Sequence, residues 1–301
     1  MGAGEKRTME LKIQSLSKRY PNGVQALRDV SLTIPAGMYG LLGPNGAGKS
    51  TLMRTLATLQ EADSGSATLD GLDILKDKDE VRKLLGYLPQ EFGLYPKVTA
   101  VEMLDHLALL KGIRKSQDRR AVVESLLRKT NLHEARNRNL GTFSGGMKQR
   151  FGIAQALIGE PKLIIVDEPT AGLDPEERVR FHNLLSEIGE HVVVILSTHI
   201  VSDVSDLCQQ MAILFNGAVT FAGEPLPLVE AMRGRTWKRF VEKGDLARFQ
   251  SQFEVISTRK LAGKTLIHVH SREPLSDGFS PVEPELADVY FYAMRQHGGA
   301  P

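Results

Sequence analysis

An α/β fold built on a parallel sheet follows from three features of this sequence. Two short apolar runs, Leu163-Ile-Ile-Val-Asp167 and Val192-Val-Val-Ile-Leu-Ser-Thr198, have the unbroken, β-branched character of strands buried on both faces. The stretch between them, Pro175 to Glu190, is charged and helix-compatible, so the segment reads as strand, crossover helix, strand. A third apolar run, Gly40-Leu41-Leu42, leads into a glycine-rich loop and a helical stretch from Lys49 to Leu59, a strand–loop–helix unit of the same kind.

The remaining elements follow in chain order. The first eight residues are small and polar and read as a mobile lead. From Leu11 to Ile34, β-like runs are separated by the turn Tyr20-Pro21-Asn22-Gly23. Between Pro89 and Gly159 the pattern turns helical, and Thr99 with Glu102 forms a capping box ahead of Met103, Leu104, Leu107 and Leu110. At Gly223-Glu224-Pro225-Leu226-Pro227 two prolines in three residues end the α/β rhythm and read as a domain boundary. Beyond it, Trp237–Val241, Phe253–Arg259 and Thr265–His270 read as strands, and Asp245–Gln252 and Pro284–Gln296 as helices, a compact α+β appendage.

Composition removes several function classes. The 301 residues, 42% hydrophobic and 25% charged, suit a folded globular chain rather than a fibrous or disordered one. A net charge of +2 gives no bulk field for nucleic acid or an anionic membrane. The single cysteine, Cys208, has no partner for an internal disulfide, and the opening residues lack the apolar core of a secretory leader, so a cytoplasmic location is expected. No apolar run approaches the roughly 20 residues that span a bilayer. If the protein works at a membrane, another chain crosses it.

The chemistry concentrates at Gly43-Pro-Asn45-Gly46-Ala-Gly48-Lys49-Ser50, which satisfies G-x-x-x-x-G-K-[ST] between a strand and a helix. Glycines let backbone N–H groups converge on phosphates, the helix start adds positive potential, Lys49 reaches the terminal phosphates, and the Ser50 hydroxyl suits Mg²⁺. A nucleoside triphosphate is the expected ligand. The strand LIIV ends in Asp167-Glu168, adjacent carboxylates at the carboxyl end of a parallel strand, where α/β sheets build their sites. Asp167 suits the metal and Glu168 the attacking water.

Phe143-Ser144-Gly145-Gly146-Met147-Lys148-Gln149-Arg150 resembles the signature motif of the ATP-binding cassette (ABC) family, usually written LSGGQ. The resemblance covers about residues 10–222, and it implies a P-loop NTPase cassette: a RecA-like parallel core, an antiparallel β subdomain and a helical subdomain at about 91–160, with 223–301 as an accessory domain. By the same resemblance, Tyr20 matches the aromatic residue that stacks on adenine. Thr51 completes the phosphate loop with Gly43, Asn45, Gly46, Gly48, Lys49 and Ser50. Gln90 in YLPQ matches the lid glutamine, implied both on the metal and among the catalytic groups with Glu168, His199 and Lys49. Ala171-Gly172-Leu173-Asp174 matches the loop after the second carboxylate, and His199 in STH the switch histidine. Ser144, Gly145, Gly146 and Asp174 are implied in nucleotide contacts, the first three toward the γ-phosphate held by a second subunit. Phe143 stands where leucine is usual and Met147 where glutamine is usual; Ser144 and both glycines remain, so an anion-binding helix start is retained.

The family implies an ATPase that closes as a homodimer on two ATP molecules and powers a separate transmembrane permease from the inner face of the membrane. Docking is expected near Gln90 to Val98, and YLPQEFGLYPKV, FSGGMKQR and ELADVYFYAMR resemble the exporter branch. The competing reading is a soluble cassette acting on nucleic acid or the ribosome; about a hundred residues between Lys49 and Ser144 leave no room for a long coiled coil. A cassette that binds ATP without turnover is opposed by Glu168 and His199. Three further features receive plain structural readings. His268 and His270 are expected on a solvated strand face, Cys208 is expected to be buried, and Lys111–Arg120 is expected to be a solvated helix junction.

Overall fold

The chain is described by a computed structural model over residues 9–90, 93–170, 172–189, 192–242, 244–261, 263–276 and 278–298. It opens with β1 (Glu10–Arg19) and β2 (Gln25–Pro35), followed by β3 (Gly37–Leu42), α1 (Lys49–Leu56), β4 (Ser64–Leu69), β5 (Leu72–Asp73), α2 (Lys78–Leu84) and β6 (Leu85–Leu88). Three helices come next, α3 (Ala100–Leu110), α4 (Ser116–Lys129) and α5 (Gly145–Ala156). The chain then returns to α/β order with β7 (Leu163–Asp167), α6 (Pro175–Gly189), β8 (Val193–Thr198), α7 (Val201–Leu207), β9 (Gln210–Phe215) and β10 (Ala218–Gly223). It ends with α8 (Pro225–Met232), β11 (Thr236–Val241), α9 (Leu246–Gln252), β12 (Glu254–Leu261), β13 (Lys264–His270), β14 (Ser280–Pro281) and α10 (Leu286–Gln296).

The central sheet runs β10-β9-β3-β8-β7-β6, parallel except for the edge hairpin β9–β10. Period-2 alternation sends its side chains into two cores. Leu163, Ile165, Val193 and Ile195 face a cluster shared with β1, β2 and α1, whereas Ile164, Val166, Val194 and Leu196 face Phe181, Leu185 and Val204 of α6 and α7. Truncating a fully buried ring such as Phe181 to alanine costs about 3–5 kcal/mol, so these two layers fix the strand ends that carry the site. The antiparallel sheet β2-β1-β4-β5 covers the first face. A separate core binds α3, α4 and α5 through Leu104, Leu127, Leu140 and Phe151. The α3 start is capped as its sequence requires: Thr99 N–H donates to Glu102 Oε2 at 3.0 Å and Glu102 N–H to Thr99 Oγ1 at 3.3 Å.

Several sequence expectations need correction. The prolines after Gly223 open a helix instead of a bare break: Pro225 takes the first position of α8, where a missing N–H costs nothing. The unit beyond Gly223 also shares a core with the main sheet, since Met232, Ile256, Leu286 and Val289 join the cluster of Phe181, Leu185 and Val204. Its own sheet runs β12-β13-β11-β14. The helix from Lys49 stops at Leu56 rather than Leu59, and Thr58 turns out with φ +60°. The short elements β4, β5, α2 and β6 were beyond the reach of periodicity, being two to seven residues long.

His268 and His270 do not lie on a solvated face. His268 is 9% exposed and its Nδ1 meets Asp288 Oδ1 at 2.7 Å, while His270 Nδ1 meets Glu254 Oε2 at 3.0 Å beside the Tyr292 ring. Both face α10, and their acidic partners lie 16 to 20 residues away, beyond any local spacing argument. Cys208 is buried, and burial raises its thiol pKa well above the ordinary range, with the charge of Asp203 adding to it. The basic cluster divides. Arg114, Lys115 and Arg120 are exposed as expected, but Lys111 Nζ donates to the carbonyls of Arg82 and Leu85 at 2.7 Å each and Arg119 pairs with Asp105 at 2.9 Å. Burial lowers the Lys111 pKa.

Candidate functional site

Three adjacent parallel strands deliver the site to one edge. Leu42 of β3 stands opposite Thr198 of β8, and Asp167 of β7 opposite Ser197, so the glycine loop, the carboxylates and His199 emerge together at the carboxyl ends of the strands. The loop from Gly43 to Gly48 then turns into α1. Glycine is required at two of its positions. A side chain at Gly43 would collide with the Leu214 carbonyl, and one at Gly48, where φ is +105°, with the Ala26 carbonyl. Gly46 is also left-handed, φ +80°, with open space around it, which leaves the backbone approachable from the cavity.

Lys49 is 6% exposed and curls back over its own loop, donating to Gly43 O at 2.5 Å and Pro44 O at 3.2 Å. Burial lowers its pKa, and the negative charges of Glu168 and Asp167 oppose that shift. The ammonium is therefore held by loop carbonyls and steadied by two carboxylates, an arrangement that phosphate oxygens can replace. The Tyr20 hydroxyl, half-buried, sits 3.1 Å from both Thr51 Oγ1 and Gln60 Oε1, while Gln60 Nε2 donates to Thr51 O at 2.8 Å. These bonds fix the ring at the cavity mouth. Gln60 had no motif around it and is legible only from the structure.

Glu168 is 8% exposed and adopts φ +51°, a left-handed conformation that costs a non-glycine residue of order 1–3 kcal/mol. Its N–H donates to Ser197 O at 2.8 Å, and its carboxylate Oε2 pairs with Nδ1 of the exposed His199. A cavity of about 520 Å³ gathers these groups. It is lined by Tyr20, the loop from Pro44 to Thr51 (including Asn45, Gly46, Gly48, Lys49 and Ser50), Gln90, Glu168 and His199. Asp167, 6% exposed, lies beside Glu168 but does not line it, and Gly43 contributes through the carbonyl that holds Lys49.

The remaining candidates form a second group away from the cavity. Ser144 caps α5, its Oγ accepting the Met147 N–H at 3.2 Å, and Ser144 and Gly145 are exposed. Gly146 is buried against the Glu177 carboxylate, which would have to move to admit a side chain there. Glu177 pairs with Arg150 of α5, and its N–H donates to Asp174 Oδ1 at 2.8 Å. Ser144, Gly145, Gly146 and Asp174 thus share one edge formed by the starts of α5 and α6. The sequence offered no signal for Arg150 and Glu177 as the link. Ala171, in the loop before Asp174, lies outside the described residues, as do Glu91 and Phe92 at the start of the expected docking stretch.

Among the described residues no group of three or more His, Cys, Asp and Glu could hold a metal by itself. The oxygens of Ser50, Gln90 and Asp167 suit Mg²⁺, a hard cation that keeps waters and shares substrate phosphates instead of occupying an all-protein cage. The glycine loop, the buried lysine and this donor set fit a triphosphate with its metal.

A glycine-rich G-x-x-x-x-G-K-S loop, a carboxylate pair after a buried strand and a histidine on one sheet edge are the arrangement of a P-loop domain. A family model described as ABC transporter matches residues 27–171. The chain is 39% identical over 230 residues to the probable multidrug ABC transporter ATP-binding protein YbhF of Escherichia coli, covering 75% of this chain and 39% of that one. It is 38% identical over 213 residues to the ABC transporter ATP-binding protein NatA of Bacillus subtilis, covering 70% and 86%. Among solved structures it is similar to a dimeric post-hydrolysis state of the ATP-binding cassette MJ0796 bound to ADP and Pi, with TM-score 0.64, 28% identity, and coverage of 71% and 98%. The chain belongs to the ABC transporter family, among its ATP-binding proteins. It spans about two fifths of the length of YbhF.

Proposed function

We propose that this chain binds and hydrolyses Mg·ATP to drive an exporter, pairing with a second copy of itself and seating on a separate membrane permease. The observation that carries the hydrolytic part is the meeting of Lys49, Ser50, Glu168 and His199 in one cavity, with Glu168 strained and already partnered by His199. Lys49 and the loop amides bind the β and γ phosphates, Ser50 and Asp167 with Gln90 hold the metal, and Tyr20 packs the base. Glu168 orients and deprotonates the attacking water, and His199 fixes the Glu168 carboxylate and the γ-phosphate side of the cavity. Mg²⁺, when bound, neutralises charge on the phosphates. The exposed start of α5 at Ser144 and Gly145 suits the γ-phosphate of a facing copy, since a capped helix start offers N–H donors and positive potential.

No helix among the described residues is long and apolar enough to cross a membrane, so the permease is a separate chain or segment in this reading. Its docking surface is a groove of about 580 Å³ between α3 and the base of β6, lined by Leu59, Tyr87, Leu107, Leu110 and Lys111. Leu59 is 62% and Leu110 69% exposed, a degree of apolar exposure that marks an interaction site. Among the described residues, the stretch Gln90–Val98 expected to dock from the sequence contributes no lining residue to this groove. The chain then sits on the cytoplasmic face, with residues 9–222 as the nucleotide-binding domain and 223–301 as an accessory domain. The export direction is supported by similarity to the named multidrug protein. Helices α3 and α4, of 11 and 14 residues, leave no coiled-coil arm for the nucleic-acid alternative.

The test is purification of the tagged chain from detergent-solubilised native membranes. A polytopic membrane protein is expected to co-purify with the parent and to be lost with Leu110→Glu, while ATP binding stays unchanged. Recovery of the parent free of any membrane protein, or with ribosomes or nucleic acid, overturns the transport reading.

A further inference from the structure

Asp203, in the first turn of α7, is fully buried and lies outside the nucleotide cavity, yet its carboxylate meets four side chains. Its Oδ2 accepts from Thr170 Oγ1 at 2.6 Å and, more distantly, from Thr198 Oγ1 at 3.4 Å. Its Oδ1 faces Arg178, with Nε at 2.8 Å and Nη2 at 2.5 Å, and His182 Nε2 at 3.0 Å. Arg178 Nη2 also donates to Ser202 Oγ at 2.7 Å. A buried carboxylate without partners is strongly unfavourable, so this one persists because four side chains on three segments converge on it.

The identity of those segments gives the carboxylate its meaning. Thr170 is two residues after Glu168, and Thr198 is the residue before His199. Thr198 Oγ1, besides donating to Asp203, accepts the Ile200 N–H at 2.9 Å and so shapes the turn on which His199 stands. Arg178 and His182 belong to α6, the helix whose start is capped by Asp174. One carboxylate therefore clamps the chain on the far side of Glu168, the near side of His199 and the helix behind the Asp174 loop. Glu168 holds a left-handed φ of +51°, which persists only where the surroundings over-determine it. The Glu168 N–H bond to Ser197 O supplies one restraint, and the Thr170–Asp203 bond supplies the other across the loop.

We propose that Asp203 is the positioning residue of this ATPase: it sets the Glu168–His199 pair through Thr170 and Thr198 and ties that pair to α6. This inference rests on the reading of Glu168 and His199 as the hydrolytic pair. The phosphate loop takes no part in the clamp, so loosening the clamp changes the chemical step and not the hold on nucleotide. Asp203→Asn keeps the shape of the side chain but presents an NH₂ group either to the Thr170 and Thr198 hydroxyls or to the Arg178 guanidinium. The second arrangement sets donor against donor.

The experiment measures kcat and KM for Mg·ATP, equilibrium binding of a fluorescent ATP analogue, and thermal unfolding, on the full chain. Asp203→Asn is expected to lower kcat at least tenfold with KM and analogue affinity changed less than threefold. Thr170→Val is expected to act in the same direction, and Thr170→Ser, which restores the hydroxyl, to recover most of kcat. A purely structural role would lower the melting temperature and leave kcat of the folded fraction at the parent value in all three. The Thr170 pair carries the test if Asp203→Asn does not fold. Glu168→Gln is run beside them. If it is inactive while folded Asp203→Asn, or Thr170→Val, turns over within twofold of the parent, the positioning role is overturned and the hydrolytic reading stands. If Glu168→Gln hydrolyses ATP at the parent rate, both fall.

Discussion

The nucleotide cavity and the unit beyond Gly223 handle polar groups in opposite ways. At the cavity, charge is held in reserve: Lys49 is lodged on its own loop carbonyls, Glu168 sits in a strained backbone conformation, and His199 is exposed on one side. In the C-terminal unit, charge is spent internally. Asp288, 1% exposed, both meets His268 and accepts the Glu285 N–H at 3.0 Å, and His270 is closed by Glu254. Strain and exchangeable partners mark a place prepared for a ligand, whereas closed pairs between strand and helix mark a place prepared to hold its shape.

The sharpest break in that comparison is Glu168→Gln. An amide cannot take a proton from water, so hydrolysis is expected to fall by on the order of 10²-fold or more. The phosphate cradle and Asp167 remain, so Mg·ATP stays bound, and the unhydrolysed nucleotide is expected to hold two chains together. Light scattering during size-exclusion chromatography, read beside phosphate release, checks both. An inactive variant that stays monomeric with ATP saturated would mean that pairing requires the permease. Lys49→Ala comes next. Removing the only cation inside the loop is expected to weaken nucleotide binding by on the order of tenfold or more, a charge-assisted contact being worth about 1.5–3 kcal/mol. Titration with a fluorescent ATP analogue measures it, and parent affinity and turnover would remove Lys49 from the site.

Deleting the chain after Gly223 tests the other side of the comparison. Every cavity residue lies upstream, so Mg·ATP binding is expected to survive. Leu286, Val289, Ile256 and Met232 would no longer cover Phe181, Leu185 and Val204, so the melting temperature is expected to fall by more than 10 °C at a loss of several kcal/mol. Loss of ATP binding in a truncated protein that is folded by circular dichroism would place the unit in the nucleotide machinery.

How much of this was legible in the sequence follows the same division. The phosphate loop, Asp167-Glu168 and the histidine after β8 are local in sequence because each is the end of one strand, and a parallel sheet brings strand ends together without further specification. The capping box at Thr99 was legible for the same reason, its two members being three positions apart. The signature edge was legible residue by residue, but its scaffold was not, because Arg150 and Glu177 are 27 residues apart and meet only once α5 and α6 are packed. The Asp203 clamp is the extreme case: Thr170 lies 33 residues from Asp203, and neither shows any spacing signal. The same limit misread His268 and His270, since a histidine on a strand looks solvated until the helix that covers it is placed. Prolines misled differently, for Pro225 breaks one element and begins another with the same fixed φ.

The smallest effects separate the two histidines of the C-terminal unit and sharpen what a closed pair means. Asp288→Asn removes the charge from a carboxylate that is 1% exposed and leaves one of its two donors, the His268 ring or the Glu285 N–H, facing an NH₂ group. An unsatisfied buried donor costs about 1–3 kcal/mol, and that is the expected loss in urea or guanidinium unfolding. His270→Ala should cost less. Its partner Glu254 has a side chain 34% exposed and also accepts from Gln296 Nε2 at 2.7 Å, so the carboxylate keeps a partner when the imidazole is gone. Partly solvated ion pairs contribute about 0–1 kcal/mol, and the ring contact with Tyr292, centroids 4.5 Å apart, adds a similar amount. Both variants are expected to hydrolyse ATP within twofold of the parent, because neither residue lines the cavity and their side-chain bonds run to His268, Glu285 and Glu254 rather than to α7. A His270→Ala loss larger than that of Asp288→Asn would reverse the ranking drawn from burial. A fall in kcat in either variant, with the protein fully folded at the assay temperature, would show that the unit beyond Gly223 acts on the hydrolytic site as well as covering its core.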